Sequence, residues 1–349
     1  MATAEQLIAL YVAADERLRA LIQSLEEGNI SRRRKEELLR QVEKIIEELT
    51  SKSGQRMAEI VGDEYRSGAA AAVNQMIKVG AVAESIDRTL KPIIHQRAAQ
   101  AIMDEAFYSI LEASEHMSRD AKKRIEDAVR QANERSLVEG VSRRQATKQA
   151  VAELNERGIT GMIARNGALI PADKYMSGVV HFHLRKAHVT GSKNMSVQNG
   201  YDLVYINEVG ITCEYCAVYQ GRVYSISGDD PRFPKLEEEP PYHAHCVHSM
   251  TPWIEEYQKP EDVEKMIAAS GRPFTDNRTQ ANIRRYKEIQ TLKSRKNETR
   301  KQWIRYKAAM PDGTPNLKQF ASMKARNTQA YRDLLEDYRK VSAAAKSEG

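Results

Sequence analysis

Apolar residues at the start of the chain step in a heptad. Leu7, Tyr11, Ala14, Leu18, Leu21 and Leu25 are spaced 4, 3, 4, 3, 4, which lines one narrow stripe along a helix. Gly28-Asn29 interrupts the rhythm, Ser31 offers a helix cap, and Leu38, Val42, Ile45 and Leu49 resume it. The pattern predicts an antiparallel helical hairpin packed on the protein's own helices, or else a coiled-coil seam that pairs with another chain and makes a homo-oligomer. Helical periodicity continues over 54–117, where residues 69–73 are small enough for close helix contact. Pro92 opens a helix with the stripe Ile94, Ala98, Ile102, Ala106 and Ile110. Ser118 is expected to cap a separate helix that ends at Gly140, and Ser142 with Gln145 forms a capping box for the next, ending at Gly158. His95 and His116 stand alone on charged helices and read as surface residues.

The pattern changes at Gly158. Short apolar runs on both sides of Asn166-Gly167 predict a β-hairpin, and Pro171-Ala172-Asp173 starts a helix that stops at Gly200. Residues 203–206 and 222–226 read as buried strands, with a Pro- and Glu-rich loop over 228–241. Helices return after Pro260: a short one capped by Asp262, a long one from Thr275-Asp276 to Met310, and a last one from about Asn316 to Ala345. The fold class expected is mostly α, with long helical N- and C-terminal arms around a small central α+β module. The expected domains are 1–157, 158–255 and 256–349.

Composition narrows the chemistry. All three cysteines of the 349 residues lie between 213 and 246. An odd, clustered set does not make a disulfide framework and points to a metal site in a reducing compartment. Cys213-Glu-Tyr-Cys216 forms one knuckle, and His243-Ala-His-Cys246-Val-His248 answers it. A tetrahedral zinc needs four N or S ligands; the proposed set is Cys213, Cys216, His243 and Cys246, with His245 and His248 as alternates for the fourth position. No His-Glu-x-x-His arrangement, Ser–His pair or phosphate loop accompanies the cluster. A structural site is therefore expected, and a zinc-dependent nuclease or toxin-like enzyme is the alternative. His181, Arg185 and His188 share a helix face that either holds an anion or lies as a polar surface over the sheet.

Net charge is +6, while residues 281–310 carry ten Lys/Arg against two Glu. Arg284, Arg285, Lys287, Lys293, Arg295, Lys296, Arg300, Lys301, Arg305 and Lys307 surround that helix. Such a charge suits either non-specific contact with the DNA backbone, as in a DNA-binding adaptor, or an acidic protein neighbour. No apolar run is long enough to span a membrane, and no signal peptide is evident.

The order of these features is similar to that of the tailed-phage minor capsid, or head-morphogenesis, proteins. The resemblance rests on the Gly158-Ile-Thr-Gly161 hairpin, a helix, Gly200-Tyr-Asp-Leu-Val, Cys213-x-x-Cys216, Tyr219-Gln-Gly-Arg-Val-Tyr-Ser and Pro240-Pro-Tyr-His-x-x-Cys246 before Thr251-Pro252. It is strongest over 158–255. It implies a low-copy structural component of the virion head near the portal, acting in head assembly or in DNA packaging or ejection, assembled in the host cytoplasm. Portal, coat or scaffold subunits and packaged double-stranded DNA are the implied partners, and the same four positions are implied as zinc ligands. Relatives often end the second knuckle Cys-Arg-Cys, where this chain has Cys246-Val247-His248. They also carry Arg-Thr on the preceding helix, where this chain has Lys186-Ala187.

Overall fold

The computed structural model describes residues 3–27, 31–138, 142, 145–148, 150–151, 159–310 and 313–347. It is mostly helical. Helix α1 (Ala4–Gln23) is followed by α2 (Arg32–Val79) and α3 (Ile93–Val138), then by the hairpin strands β1 (Thr160–Ile163) and β2 (Leu169–Pro171) and by helix α4 (Ala172–Gln198). Strands β3 (Leu203–Ile206), β4 (Arg222–Ser225) and β5 (Met250–Pro252) form an antiparallel sheet in the order β4-β3-β5. Helices α5 (Pro260–Ser270), α6 (Gln280–Ala309), α7 (Leu317–Ala325) and α8 (Gln329–Ser347) complete the chain. The chain divides into two compact units, each drawn from three separate stretches.

The first unit comprises Met1–Ala9, Ser51–Leu111 and Met176–Lys287. Here α2 and α4 touch backbone to backbone. A Cβ on Gly68 would lie 1.9 Å from the His188 carbonyl oxygen, and one on Gly191 2.2 Å from that of Tyr65. Glycine at both positions lets the helices close to this distance. Ala69, Ala72, Val73 and Met76 of α2 then bury against Met195 and Ile254, as the small-residue stretch at 69–73 anticipates. A polar network crosses the same helices: Asn194 donates to Tyr65 Oη at 2.8 Å, Tyr65 Oη meets His95 Nδ1 at 2.9 Å, and His95 Nε2 meets Gln198 Oε1 at 2.7 Å. His95 is thus buried, not a surface residue, because partners on two other helices, α2 and α4, satisfy both ring nitrogens.

The face carrying His188 also differs from expectation. His188 Nδ1 bonds Glu64 Oε1 of α2 at 2.8 Å, while Val189 and Ser192 of α4 are the residues that meet the sheet. Helix α2 covers the polar residue, so no free anion-binding face is left at His188. Lys186 pairs with Glu105 at 2.5 Å and Ala187 is buried.

His183 is 3% exposed, its Nδ1 has no partner among the described residues, and burial lowers its pKa. The fold holds it neutral, whereas the unfolded chain takes up a proton near pH 6.5. Stability should therefore be full above about pH 6.5 and fall below it at up to about 1.4 kcal/mol per pH unit, until the folded ring itself protonates. Urea unfolding at pH 7.5 and 5.5 measures this. His183→Leu should remove about 1 kcal/mol of the difference, and a variant with undiminished pH dependence would refute the assignment.

The sheet is tied down by a buried cation. Arg222, 0% exposed, donates to the carbonyls of Val218, Ser270, Arg272 and Pro273 at 2.6–2.9 Å and stacks 4.1 Å over Phe274. These bonds replace its lost hydration and hold the end of α5 against β4.

The second unit comprises Leu10–Thr50, Glu112–Tyr175 and Glu288–Gly349. Within it α1 and α2 form the expected hairpin, with Arg17 bonded to Glu48 at 2.9 Å and Ser31 Oγ capping the Arg34 amide. Tyr11, Ala14, Leu18, Ile22 and Leu25, with Leu38, Val42, Ile45 and Leu49, are 0–7% exposed in the single chain. The seam thus closes within the molecule, and passes through Ile22 where Leu21 was expected. Asp15 accepts the Ile159 amide and Asp120 the Thr160 amide, which fixes the hairpin β1–β2. Its turn uses Gly167 at φ +79°, as Asn166-Gly167 anticipates.

Four local expectations are corrected. Helix α3 runs through Ser118 without a break, because the buried stripe Ile110, Ala113, Met117, Ala121, Ile125 continues across it. Helix α5 starts at Pro260 after Lys259, so Asp262 lies in its first turn and does not cap it. The long basic helix begins at Gln280, later than Thr275: Asp276 pairs with Arg278, and Thr279 caps the Asn282 amide. The last helix is two, α7 and α8, parted at Asn327 with φ 47°. The Ser142 cap on the Gln145 amide is present; the helix stops expected at Gly140 and Gly158 lie outside the described residues.

Candidate metal centre

Antiparallel pairing builds this site. β5 runs beside β3 with Met250 opposite Ile206, and the Asn207 and Ser249 pair extends the match. Residues just before β5 are thereby set against those just after β3. That brings 246–248 alongside the loop into the first knuckle. The Cys-x-x-Cys stretch folds as a single helical turn, Glu214–Ala217, whose N-cap is Cys213; its sulfur accepts the Cys216 amide at 3.4 Å.

Two overlapping groups result. Cys213, Cys216 and His243 present ligand atoms within 4.8 Å of one another, and so do Cys216, Cys246 and His248. Cys216 belongs to both. Cys216 Sγ lies 3.9 Å from Cys246 Sγ, Cys246 Sγ 3.5 Å from His248 Nδ1, and Cys213 Sγ 3.4 Å from His243 Nε2. Bond lengths of about 2.3 Å to sulfur and 2.0 Å to nitrogen give tetrahedral edges of about 3.8 Å and 3.5 Å. The spacings fit a zinc-sized ion.

Electrostatics separates the two buried thiols. Cys246 ionises the more readily, because it takes hydrogen bonds from the Cys216 thiol and from the backbone at 242 and 248, against the cost of burial. Cys216 is pushed up by its bond to Cys246 and by burial. Tyr242 stacks on Tyr219 at 4.6 Å and its ring lies 6.3 Å from that of His248, which shields this side from water.

Five of the six sequence candidates, Cys213, Cys216, His243, Cys246 and His248, therefore fall into the two groups, and these residues could hold a metal ion. His245 falls in neither, and its ring lies 6.2 Å from that of His181. Sequence reasoning missed Gln220, whose Oε1 lies 3.0 Å from His248 Nε2, and Arg278, which donates to the Thr212 carbonyl at 3.0 Å beside Cys213. Arg278 carries no periodic or motif signal, and Gln220 stands in the Tyr219-Gln-Gly-Arg-Val-Tyr-Ser stretch without a role assigned to it.

The basic residues lie on α6. Arg284, Arg285, Lys287, Lys293, Arg295, Lys296, Lys301, Arg305 and Lys307 are exposed, and every residue from Gln290 to Glu298 is exposed. Arg300 is half-buried and pairs with Asp173 at 2.6 Å, and Lys301 pairs with Glu298 at 2.9 Å. Those two are engaged within the protein. No helix among the described residues is long and apolar enough to cross a membrane.

Searches of the curated proteins and of the solved structures found no match. A family model described as Phage minor capsid protein 2 matches residues 34–338, which takes in the metal centre, the basic helix and nearly all the helical frame. The chain belongs to the phage minor capsid protein 2 family.

Proposed function

We propose that the protein is a structural, non-catalytic component of the phage head, present in few copies beside the portal, with a zinc ion as a fold-stabilising staple. The observation that carries the reading is the family match over 34–338. The converging thiols support the staple. Both candidate groups consist of Cys and His alone, with no carboxylate, and together offer more than the four protein ligands that close a structural site. A closed site has no open position for a substrate. Its role would be to lock the 228–241 loop, already held by Tyr215 on Glu238 at 2.7 Å and Lys193 on Glu239 at 2.5 Å, against the β4 edge, where Ser225 bonds Pro234 and Leu236.

The exposed part of α6 is proposed to face packaged DNA. Over 290–298 every residue of the helix is exposed and all but Leu292 are polar, which suits a solvated or charged neighbour. Lys293, Arg295 and Lys296 supply the phosphate-neutralising charge there.

Purified heads provide the test. Quantitative mass spectrometry should give a copy number far below that of the coat protein, chemical cross-links should join this chain to the portal, and ultraviolet cross-linking to DNA should label α6 peptides. A coat-like copy number with no portal cross-links would overturn the placement. Absence of label from α6 in DNA-filled heads would overturn the DNA contact.

A further inference from the structure

The zinc site has one coordination position with two histidine candidates, and hydrogen bonds already in the protein choose between them. Gln220 is 5% exposed, and its Oε1 accepts the Val209 backbone amide at 2.8 Å. A backbone amide only donates, so that atom is the carbonyl oxygen of the side chain. His248 Nε2 lies 3.0 Å from the same oxygen and must therefore carry the ring proton. In neutral imidazole the lone pair is then on Nδ1, the atom 3.5 Å from Cys246 Sγ and grouped with Cys216 Sγ. His248 is 1% exposed, so little solvent competes for it.

His243 is set the opposite way. Its Nδ1 accepts the His245 backbone amide at 3.3 Å, which puts its proton on Nε2. That Nε2 lies 3.4 Å from Cys213 Sγ, so the ring aims an N–H, and not a lone pair, at the thiol. Binding a metal through Nε2 would require the proton on Nδ1, directly facing the His245 N–H.

We infer that His248, through Nδ1, completes the site with Cys213, Cys216 and Cys246, that Gln220 is the positioning residue that sets its tautomer, and that His243 donates to the Cys213 sulfur without touching the metal. The inference rests on the zinc reading above. It moves the fourth ligand from His243, the first residue of the second knuckle, to His248 at its end. Gln220 also ties the metal to the loop after β3, since one oxygen serves both His248 and Val209. Outer partners of this kind commonly change metal affinity by about 10–100-fold.

The test uses the purified full chain, with zinc affinity measured against a competing chelator dye and cobalt(II) as a spectroscopic probe. His243→Ala should cost no more than the about 10–100-fold of a lost outer hydrogen bond, and His248→Ala should lose far more. Gln220→Leu should weaken binding by about 10–100-fold, and Gln220→Glu, which retains the acceptor, should recover most of that loss. His248→Cys guards against a variant that fails to fold: it should load cobalt and shift the spectrum from three sulfurs and one nitrogen to four sulfurs. Loss of binding in His243→Ala with retention in His248→Ala would overturn the inference and leave the zinc reading intact, as would an unshifted spectrum in a cobalt-loaded His248→Cys. A wild-type chain that binds no zinc would overturn both.

Discussion

Replacing Gly191 with valine is expected to destabilise the first unit by about 3 kcal/mol or more, at the upper end of overpacking costs. The new Cβ would stand 2.2 Å from the Tyr65 carbonyl oxygen, and the obstacle is backbone, which cannot swing aside as a side-chain tip can. Helices α2 and α4 would have to part. Parting them strains the Asn194–Tyr65 and His188–Glu64 bonds that cross the same contact. Gly68→Val should behave alike, with 1.9 Å to the His188 oxygen. Gly62 provides the control. It lies in the same helix, but its Cβ would meet only the tip of Arg66 at 3.6 Å. Gly62→Ala should be neutral or stabilising by about 0.5–1 kcal/mol, the ordinary gain of alanine over glycine in a helix. Urea midpoints of the three variants decide the matter, and equal stability of Gly191→Val and Gly62→Ala would show that the helices do not approach closely.

The contrast shows how much a single strand of sequence information carries. Gly62, Gly68 and Gly191 are indistinguishable locally: each is a glycine inside a helical pattern. Only the pairing of α2 with α4 separates them, and that pairing is a long-range property. Elements whose signals are local were legible. The heptad stripe placed the α1–α2 hairpin, Asn166-Gly167 the β-hairpin, and residues 203–206 the strand β3 at its exact bounds. Elements defined by a partner were not. β5 has only three residues, and β3 is what makes it a strand. His95 looked like a surface histidine because its partners, Tyr65 and Gln198, come from 30 residues before and 103 after it.

The candidate metal centre divides along the same line. Cysteine is scarce in this chain, so its clustering is visible without a fold, and Cys216 does fall into one group with Cys213 and into another with Cys246. Which histidine faces them with a lone pair depends on what the other ring nitrogen touches. Those contacts are a backbone amide in one case and a glutamine 28 residues away in the other. Spacing favours His243, since His-x-x-Cys mirrors Cys-x-x-Cys. Hydrogen bonding favours His248. Motif spacing records how the chain turns and says nothing about which ring nitrogen carries the proton.

Removing the metal should have the other large effect. Cys216 is the one residue common to both convergent groups and is fully buried, so Cys216→Ser strikes the site whichever histidine completes it. With zinc at about 1,000 times its Kd, linkage supplies about 4 kcal/mol to the folded state, and that contribution should vanish in the variant. The wild-type chain treated with a strong chelator should fall to nearly the same melting temperature, because two sulfurs 3.9 Å apart are then left with only a shared proton between them. Hydrogen exchange should localise the loss to the knuckle, the 228–241 loop and the β5 edge. The α1–α2 hairpin, whose apolar seam owes nothing to the metal, should keep its protection. A chelated wild-type chain with an unchanged melting temperature would remove the staple from the account. A uniform loss of protection over both units would instead show that the knuckle supports the whole chain and not only its own neighbourhood.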